Sequence, residues 1–332
     1  ILEGSKVFAK EFLIRHGIPT AGYESFDEIE RALDYLRKVK FPIVIKADGL
    51  ASGKGVFISS HISEAEEIVE SILLKNEFGI AGTQIVVEEF LEGEELSYIC
   101  MTDGYHSVPF ASSQDHKARD DGDKGPNTGG MGAYSPAPVL DKTLEKKIQE
   151  DIIRPTLSGL RKEGKPYTGF LYAGLMIDSD GAPKVLEFNC RLGDPETQPI
   201  LSRLKTDLVA TCLQILDGKT ENLELEFDEK TSVGVVLAAK GYPGLYKTGM
   251  SISGLAEASD KSYLKIFHAG TRVIDGTVVS NGGRVLCVVG MGDDIEKAQA
   301  ASYDGISFVK DENFFCRSDI GYRAIRRKQE TN

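Results

Sequence analysis

The segment 184–191, KVLEFNCR, carries the most chemically suggestive residues of this 332-residue chain. Glu187, Asn189 and Arg191 are spaced two residues apart, so a β-strand would project all three from one face. The opposite face would be apolar, formed by Leu186, Phe188 and Cys190. A carboxylate beside an amide oxygen suits a hard cation such as Mg²⁺, and a guanidinium suits a phosphoryl or carboxylate oxygen. The spacing indicates nucleotide chemistry; a solvated strand face with an ordinary Glu and Arg pair is the alternative.

A lysine and a glycine loop form a second candidate region. Lys46 follows the apolar residues 43–45, where it would either reach solvent or point at a phosphate. The loop 49–55, GLASGKG, comes next and carries Lys54. Glycine loops let backbone N–H groups approach phosphate oxygens closely. This loop is too short for a P-loop and has Gly55 where the metal-binding hydroxyl would be, so a bare turn stays the alternative.

The end of the next apolar strand forms a third candidate region. It carries two acidic and two apolar residues, Glu88, Glu89, Phe90 and Leu91. Acidic residues in a row normally face solvent, but these directly follow the apolar run 85–87. The strand end could therefore offer backbone groups to the edge of an adenine ring. Glu95 could then accept a hydrogen bond from a ribose hydroxyl.

Hydrophobic periodicity predicts the elements that must position these residues. Helices are expected over 5–16, 27–38, 63–74, 142–162 (broken near Pro155), 201–216 and 294–302. Strands are expected over 41–48, 83–91, 95–103, 106–114, 170–178, 184–191, 232–240, 263–273 and 284–292, with a hairpin turn at 179–181. Segment 117–138 is predicted as an unusually long loop, which in a compact protein is functional or disordered. Segment 217–230 is predicted as a linker.

Composition restricts the possible partners and location. The chain has 39 Lys and Arg against 51 Asp and Glu, a formal charge of −12, which is the wrong sign for gripping nucleic acid. No apolar run reaches the roughly 20 residues that cross a bilayer, and the first residues are too mixed for the apolar segment of a signal peptide. A cytoplasmic location without nucleic-acid or membrane partners is expected. The five scattered cysteines are predicted to be reduced core thiols.

Together, the lysine strand with its glycine loop, the strand-end glutamates and the E-x-N-x-R strand resemble the ATP-grasp superfamily. Longer segments are similar to the phosphoribosylamine–glycine ligase family. These are SQDHK at 113–117, GPNTGGMGAYSPAP at 125–138, GFLYAGLMID at 169–178, EFNCRLGDPETQ at 187–198 and GGRVLCV at 282–288. The resemblance runs from about Gly4 to Arg326, which is nearly the whole chain.

The resemblance implies a role for each candidate residue. ATP would lie between two sheets, with its phosphates bound by Lys46, Gly53, Lys54 and Gly55, its adenine by residues 88–91 and its ribose by Glu95. Glu187 and Asn189 would coordinate Mg²⁺ or Mn²⁺, and Arg191 would steady the acyl-phosphate transition state. The pocket for glycine and phosphoribosylamine would be lined by Asp115, Lys117, Asn127, Thr128, Gly129, Gly130, Asp194, Glu196 and Thr197. His116 is interpreted as a positioning group rather than a base.

The resemblance also implies an α+β fold. An ATP-grasp core of two subdomains, 1–92 and 93–222, would precede a small mixed α/β domain at 223–332. The expected reaction joins glycine to phosphoribosylamine through glycyl phosphate, with ATP as co-substrate, in purine biosynthesis. Another ATP-grasp carboxylate–amine ligase or a non-catalytic ATP-binding fragment are the alternatives.

Two departures from the family pattern qualify this expectation. Many ATP-grasp enzymes place a further metal carboxylate on the strand before the E-x-N-x-R strand, where this chain has apolar residues at 175–177. The family's N-terminal domain of about one hundred residues, which helps to bind the phosphoribosyl phosphate, is expected to be missing.

Overall fold

A four-stranded antiparallel sheet forms the first layer of the computed structural model, which describes residues 1–50, 55–309 and 311–331. Its elements follow helix α1 (Lys6–Arg15) and are β1 (Tyr23–Phe26), α2 (Ile29–Leu36), β2 (Ile43–Ala47), β3 (Val56–Ser59), α3 (Ile62–Val69) and β4 (Ile85–Glu89). The strand order is β1-β4-β2-β3. Ile43 and Ile45 of β2 pack against Ala65 and Val69 of α3. Because side chains alternate along a strand, these residues share the face of the sheet that the helix covers.

The middle of the chain supplies a second sheet and part of a third. Its elements are β5 (Glu94–Thr102), β6 (Ser107–Pro109), β7 (Gln114–Asp115), β8 (Ala118–Asp120), β9 (Lys124–Asn127), β10 (Gly132–Ser135), α4 (Lys142–Ile148), α5 (Arg154–Lys162), β11 (Gly169–Ile177), β12 (Pro183–Asn189), α6 (Thr197–Arg203) and α7 (Leu208–Leu216). The second sheet has the order β12-β11-β5-β6. Helices α1, α4 and α5 share a core with one of its faces, and α6 and α7 share a core with the other.

The last hundred residues complete the third sheet. Their elements are β13 (Thr231–Ala239), α8 (Leu255–Ser259), β14 (Leu264–His268), β15 (Thr271–Ile274), β16 (Thr277–Ser280), β17 (Arg284–Gly292), α9 (Ile295–Val309), β18 (Phe314–Phe315) and α10 (Tyr322–Thr331). The sheet runs β14-β17-β13-β10-β7, with β18 paired to β13. Two contacts cross the boundaries of the predicted domains. Strand β10 of the second domain pairs with β13 of the third, and helix α1 of the first domain packs on the second sheet. The ranges 1–92, 93–222 and 223–332 stay predictions.

The predicted long loop at 117–138 is wrong, because this segment contains β8, β9 and β10. Strand β10 is fully buried and pairs with β7 and with β13, a partner about a hundred residues further on. The residues around β10 are rich in glycine and polar types, so they show no alternation of apolar and polar residues. A strand partner far along the chain also leaves no trace in the local sequence. The predicted strand 106–114 is likewise reduced to β6 and the start of β7.

Several predicted helices have different internal boundaries. A π-helical turn at Glu70–Leu74 follows α3, and another at Gln149–Ile153 joins α4 to α5. Pro155 lies in the first turn of α5, where its missing N–H donor is tolerated, so the predicted break is a change of helix type. The predicted helix 201–216 is two helices, because Asp207 caps α7 by accepting a hydrogen bond from the Ala210 N–H.

Three further sequence expectations can be compared with the described residues. The five cysteines form no disulfide, but only Cys100 and Cys287 are buried, so the prediction of core thiols is wrong for the three partly buried ones, Cys190, Cys212 and Cys316. Among the described residues, no helix combines the length and apolar character needed to span a bilayer. Strand 263–273 is divided into β14 and β15, and α10 was not predicted from the sequence.

Candidate functional site

A cleft of about 520 Å³ lies between the first and second sheets and extends to the third. Sixteen of the residues singled out by sequence line it: Lys46, Glu88, Glu89, Phe90, Leu91, Glu95, Asp115, Lys117, Asn127, Thr128, Gly129, Glu187, Asn189, Arg191, Asp194 and Glu196. Gly55 lines a recess of about 120 Å³ that shares Lys46, Glu88 and Glu187 with the cleft. Gly130 and Thr197 do not line the cleft, and Gly53 and Lys54 lie outside the described residues.

The polar row on β12 is present, but the strand is not regular. The pairing of β11 with β12 shifts between Gly174 and Leu175, which leaves Leu186 as an extra residue. Because of this bulge, Leu186 lines the cleft beside Glu187, and its predicted place on the apolar face is wrong. Phe188 is buried in the core as predicted. A bulge depends on partner register, which one strand's own sequence does not show.

Arg191 lies beyond the end of β12 rather than on the strand. Its Nε donates a hydrogen bond to Glu3 Oε1 at 3.0 Å, and its second terminal nitrogen donates to Asn189 Oδ1 at 3.2 Å. The side chain is 55% exposed, so the guanidinium keeps an open side toward the cleft. Asn189 and Arg191 are thus brought together as the spacing predicted.

Lys46 is held at one end of the cleft by a buried carboxylate. Its Nζ lies 2.9 Å from Glu88 Oε1 and donates a hydrogen bond to the Leu186 carbonyl oxygen at 3.0 Å. Lys10 of α1 approaches the same carboxylate, with Nζ 3.1 Å from Glu88 Oε2. Burial lowers the pKa of Lys6, which lines the adjoining recess and donates to the Gly49 carbonyl oxygen. This end of the cleft therefore concentrates lysine side chains.

Apolar side chains also line this end of the cleft. Strand β4 ends at Glu89, so Phe90 and Leu91 are the first residues beyond its ladder, and both line the cleft. Further apolar lining comes from Val44, Val56, Ile58, Met176 and Leu192. The Glu89 side chain accepts a hydrogen bond from the Gly22 N–H at 2.9 Å. Backbone groups just beyond a strand, beside apolar side chains, are of the kind that recognises a flat heterocycle.

Acidic side chains dominate the other end of the cleft. Burial raises the pKa of Asp115 to about 7, the Lys117 ammonium opposes this, and the carboxylates of Glu196 and Glu95 reinforce it. Burial also raises the pKa of Glu196, whose Oε1 accepts hydrogen bonds from Ser97 Oγ at 2.9 Å and Tyr172 Oη at 3.0 Å.

Lys117 places a cation among the carboxylates of this end. Its Nζ lies 2.5 Å from Glu95 Oε2. Although burial acts in the opposite direction, the Lys117 ammonium lowers the pKa of Glu95. Glu95 is therefore ionised and paired, whereas Asp115 is poised to change charge near neutral pH.

The third sheet closes this end through Arg284, a residue that sequence reasoning missed. Its guanidinium makes a bidentate pair with Asp194, at 2.9 Å and 2.7 Å, and donates to the Gly129 carbonyl oxygen at 2.7 Å. Tyr242 Oη accepts a hydrogen bond from the Gly129 N–H at 2.9 Å. One arginine thus ties two loops of the cleft to β17. The segment GGRVLCV contained it, but nothing local indicated its partners.

His116 belongs to the protein interior. It is fully buried, its Nε2 accepts a hydrogen bond from the Gly321 N–H at 3.0 Å, and its ring lies between those of Tyr134 and Tyr322. Burial lowers its pKa, which favours the neutral ring. This geometry supports a positioning role for His116.

Comparison with known proteins identifies first the class and then the family. The solved L-amino acid ligase from Bacillus licheniformis has the same fold, with a TM-score of 0.65 at 18% identity, covering 93% of this chain and 72% of that one. This likeness and the ATP-grasp domain model that matches the chain show an ATP-grasp α+β fold, which confirms the α+β prediction.

The family models give the finer assignment. The ATP-grasp (A) domain of phosphoribosylglycinamide synthetase matches residues 4–197, and its C domain matches residues 232–323. Phosphoribosylamine–glycine ligases from Allochromatium vinosum and from Escherichia coli K12 are each 56% identical, over 99% of this chain and 76% of theirs. The solved Thermotoga maritima ligase has a TM-score of 0.88 at 39% identity, covering 96% of this chain and 79% of that one. The chain belongs to the phosphoribosylglycinamide synthetase family, and the predicted resemblance is confirmed.

Proposed function

We propose that this chain joins glycine to 5-phosphoribosylamine at the expense of ATP, giving glycinamide ribonucleotide, ADP and phosphate. A glycine carboxylate oxygen attacks the γ-phosphorus and ADP leaves, forming glycyl phosphate. The amine of phosphoribosylamine then attacks the carbonyl carbon, phosphate leaves and the amine loses a proton. The observation that carries the proposal is the cleft with its recess, which has lysines at one end, Glu187 and Asn189 in its lining, and a buried acidic group at the other end.

ATP fits the lysine end. Its adenine would lie in the apolar slot beside Phe90 and Leu91, with the backbone beyond β4 recognising the base edge. Its phosphates would approach Lys46, while Gly55 lines the adjoining recess. Glu95 lines the same cleft from the acidic end, and its carboxylate would accept a hydrogen bond from a ribose hydroxyl. Gly53 and Lys54 remain proposed phosphate ligands by resemblance.

The chemistry of Glu187 and Asn189 fits Mg²⁺ or Mn²⁺. Both line the cleft and provide one carboxylate and one amide oxygen. Among the described residues there is no cluster of three or more His, Cys, Asp or Glu suited to a metal, so nucleotide oxygens and water would complete the coordination. The bound ion would supply charge neutralisation on the transferring phosphoryl group. Arg191 would stabilise charge developing on the acyl phosphate.

The acidic end fits the glycine zwitterion. Asp115 and Glu196 would accept the glycine ammonium group, which leaves the carboxylate directed toward the phosphates and Arg191. The loop residues Asn127, Thr128 and Gly129, with Asp194, would face phosphoribosylamine. Gly130 and Thr197 would act from behind the lining, since the Gly130 N–H donates to Thr128 Oγ1 at 3.0 Å and Thr197 Oγ1 donates to the Gly193 carbonyl oxygen. Catalysis by such a site is largely positioning.

The test is product analysis. Purified protein is incubated with ATP, Mg²⁺, glycine and freshly generated phosphoribosylamine, and the products are identified by mass spectrometry. We expect glycinamide ribonucleotide, ADP and phosphate in equal amounts, and no product when glycine is omitted. Formation of AMP and pyrophosphate, or transfer to a different amine in preference to phosphoribosylamine, would contradict the proposal.

A further inference from the structure

Three buried charges meet behind the lysine end of the cleft. Glu88 of β4 lies between Lys10 of α1 and Lys46 of β2, with the closest nitrogen–oxygen distances at 3.1 Å and 2.9 Å. The side chains of Lys10, Glu88 and Lys46 are only 3%, 2% and 9% exposed. Charges this deeply buried are costly unless they are mutually compensated. The three residues are called the Lys10–Glu88–Lys46 triad below.

The two lysines of the triad occupy different positions. Lys46 lines both the cleft and its recess, whereas Lys10 lines only the recess. Lys10 Nζ is fixed from behind, donating to Thr20 Oγ1 at 2.7 Å and to the Ala21 carbonyl oxygen at 3.3 Å. A ligand in the cleft can therefore reach Lys46 directly, and Lys10 acts on that ligand only through the triad.

The net charge of the triad depends on Lys10. Lys46 and Glu88 alone form a neutral pair, which offers little net attraction to a polyphosphate. Addition of the Lys10 ammonium makes the triad +1, while the Glu88 carboxylate still fixes Lys46 beside the Leu186 carbonyl oxygen. Buried charges are weakly screened by salt, so this single positive charge would attract an anionic ligand in the cleft.

We infer that Lys10 and Glu88 are positioning residues for ATP: Glu88 orients Lys46, and Lys10 neutralises Glu88 so that the charge of Lys46 is available to phosphate. This inference rests on the proposed role of Lys46 in ATP binding.

The ionisation of Lys10 supports the same arrangement. Burial lowers the pKa of Lys10 to about 8, Glu88 and Glu89 oppose this, and Lys46 reinforces it. The Tyr23 ring, whose centroid is 5.6 Å from Lys10 Nζ, faces the ammonium together with Thr20 Oγ1 and the Ala21 carbonyl oxygen. Because a lysine loses its proton as pH rises through its pKa, the triad falls from +1 to neutral above about pH 8.

The test compares two variants by calorimetric titration with ATP and Mg²⁺ at pH 7. Lys10→Met leaves a neutral Lys46–Glu88 pair, and we expect ATP affinity to fall about tenfold. Lys10→Met combined with Glu88→Gln leaves Lys46 as an uncompensated cation that can still donate to the Gln oxygen, so affinity should return to within about threefold of the unmodified protein. Lys146→Met, which removes an exposed lysine, is the matched control and should bind normally. Circular dichroism checks that each variant is folded.

Rescue by the double variant distinguishes charge balance from simple structural damage. An affinity in the double variant as weak as in Lys10→Met, or weaker, would overturn the inference. A pH series covers the case in which Lys10→Met fails to fold: the unmodified protein should lose ATP affinity between about pH 7 and pH 9.5, and the double variant should lose markedly less. Equal losses in both would also overturn it. Failure of the unmodified protein to bind ATP at pH 7 would instead contradict the proposed function, and the inference with it.

Discussion

The two ends of the cleft manage charge in different ways. At the lysine end, Lys46 and Lys10 share the single carboxylate of Glu88, so positive charge is left over. At the acidic end, the cations are matched, because Lys117 pairs with Glu95 and Arg284 pairs with Asp194. Leftover charge suits a polyphosphate, whose binding is dominated by charge. Matched pairs suit small zwitterions and sugars, whose recognition depends on shape and hydrogen bonds.

The two ends are also built from different sheets. The lysine end is built from the first sheet with α1 and β12, whereas the acidic end is tied by Arg284 to the third sheet. The reaction is expected at the boundary between them, where Glu187, Asn189 and Arg191 lie. Substitutions in each end should therefore affect different substrates.

Removal of the carboxylate at the boundary should have the largest effect. Glu187→Gln keeps the shape of the side chain but weakens the oxygen donor to the metal, so we expect ADP formation to slow by about 100-fold or more. The melting temperature should stay unchanged, because Glu187 lines a cleft rather than the core. Glu150→Gln, at an exposed ion pair with Lys146 in the π-helical turn after α4, is the control. A rate in Glu187→Gln equal to that of the control would remove Glu187 from the metal site.

A substitution at the lysine end should weaken the binding of ATP but not that of glycine. Lys46→Met deletes the cation nearest the proposed phosphates, and charge-assisted contacts are worth about 1.5 to 3 kcal/mol, so ATP should bind about tenfold or more weakly. Glycine affinity, measured separately by titration, should be nearly unchanged. Lys219→Met, at an exposed ion pair, serves as the control. Unaltered ATP affinity in Lys46→Met would make Lys46 a purely structural lysine.

The acidic end should respond to pH through Asp115. Its pKa is raised to about 7 by burial, so its carboxylate is ionised above that pH and protonated below it. If the ionised form holds the glycine ammonium, kcat/KM for glycine should fall severalfold, at most about tenfold, between about pH 8 and pH 6. Asp115→Asn should show a low, pH-independent value over this interval. A pH profile that persists in Asp115→Asn would assign the titration to another group.

The smallest effect should come from the cross-link to the third sheet. Arg284→Lys keeps the charge but cannot form the bidentate pair with Asp194 and also reach the Gly129 carbonyl oxygen. We expect the KM for phosphoribosylamine to rise by severalfold, with ATP affinity within about twofold of normal. Arg326→Lys, at an exposed helical pair, is the matched control. An equal change in ATP affinity would show that the two ends are not independent.

The sequence predicted residues better than it predicted their partners. Glu187 and Asn189 were identified from strand period alone, and the structure places both in the cleft. The bulge at Leu186, the burial of Glu88 between two lysines and the reach of Arg284 to Asp194 all depend on contacts far apart in the chain. Strand β10 was hidden for the same reason, because its partner β13 begins about a hundred residues later.

Oxygen exchange within ATP tests the central claim most directly. ATP labelled with ¹⁸O in the β–γ bridge is incubated with protein, Mg²⁺ and glycine, and without phosphoribosylamine. If the cleft forms glycyl phosphate reversibly, the label should move into the non-bridging β-phosphate positions only when glycine is present, and Glu187→Gln should abolish the movement. Glycine and ATP binding together without any movement of the label, or release of AMP, would contradict the account.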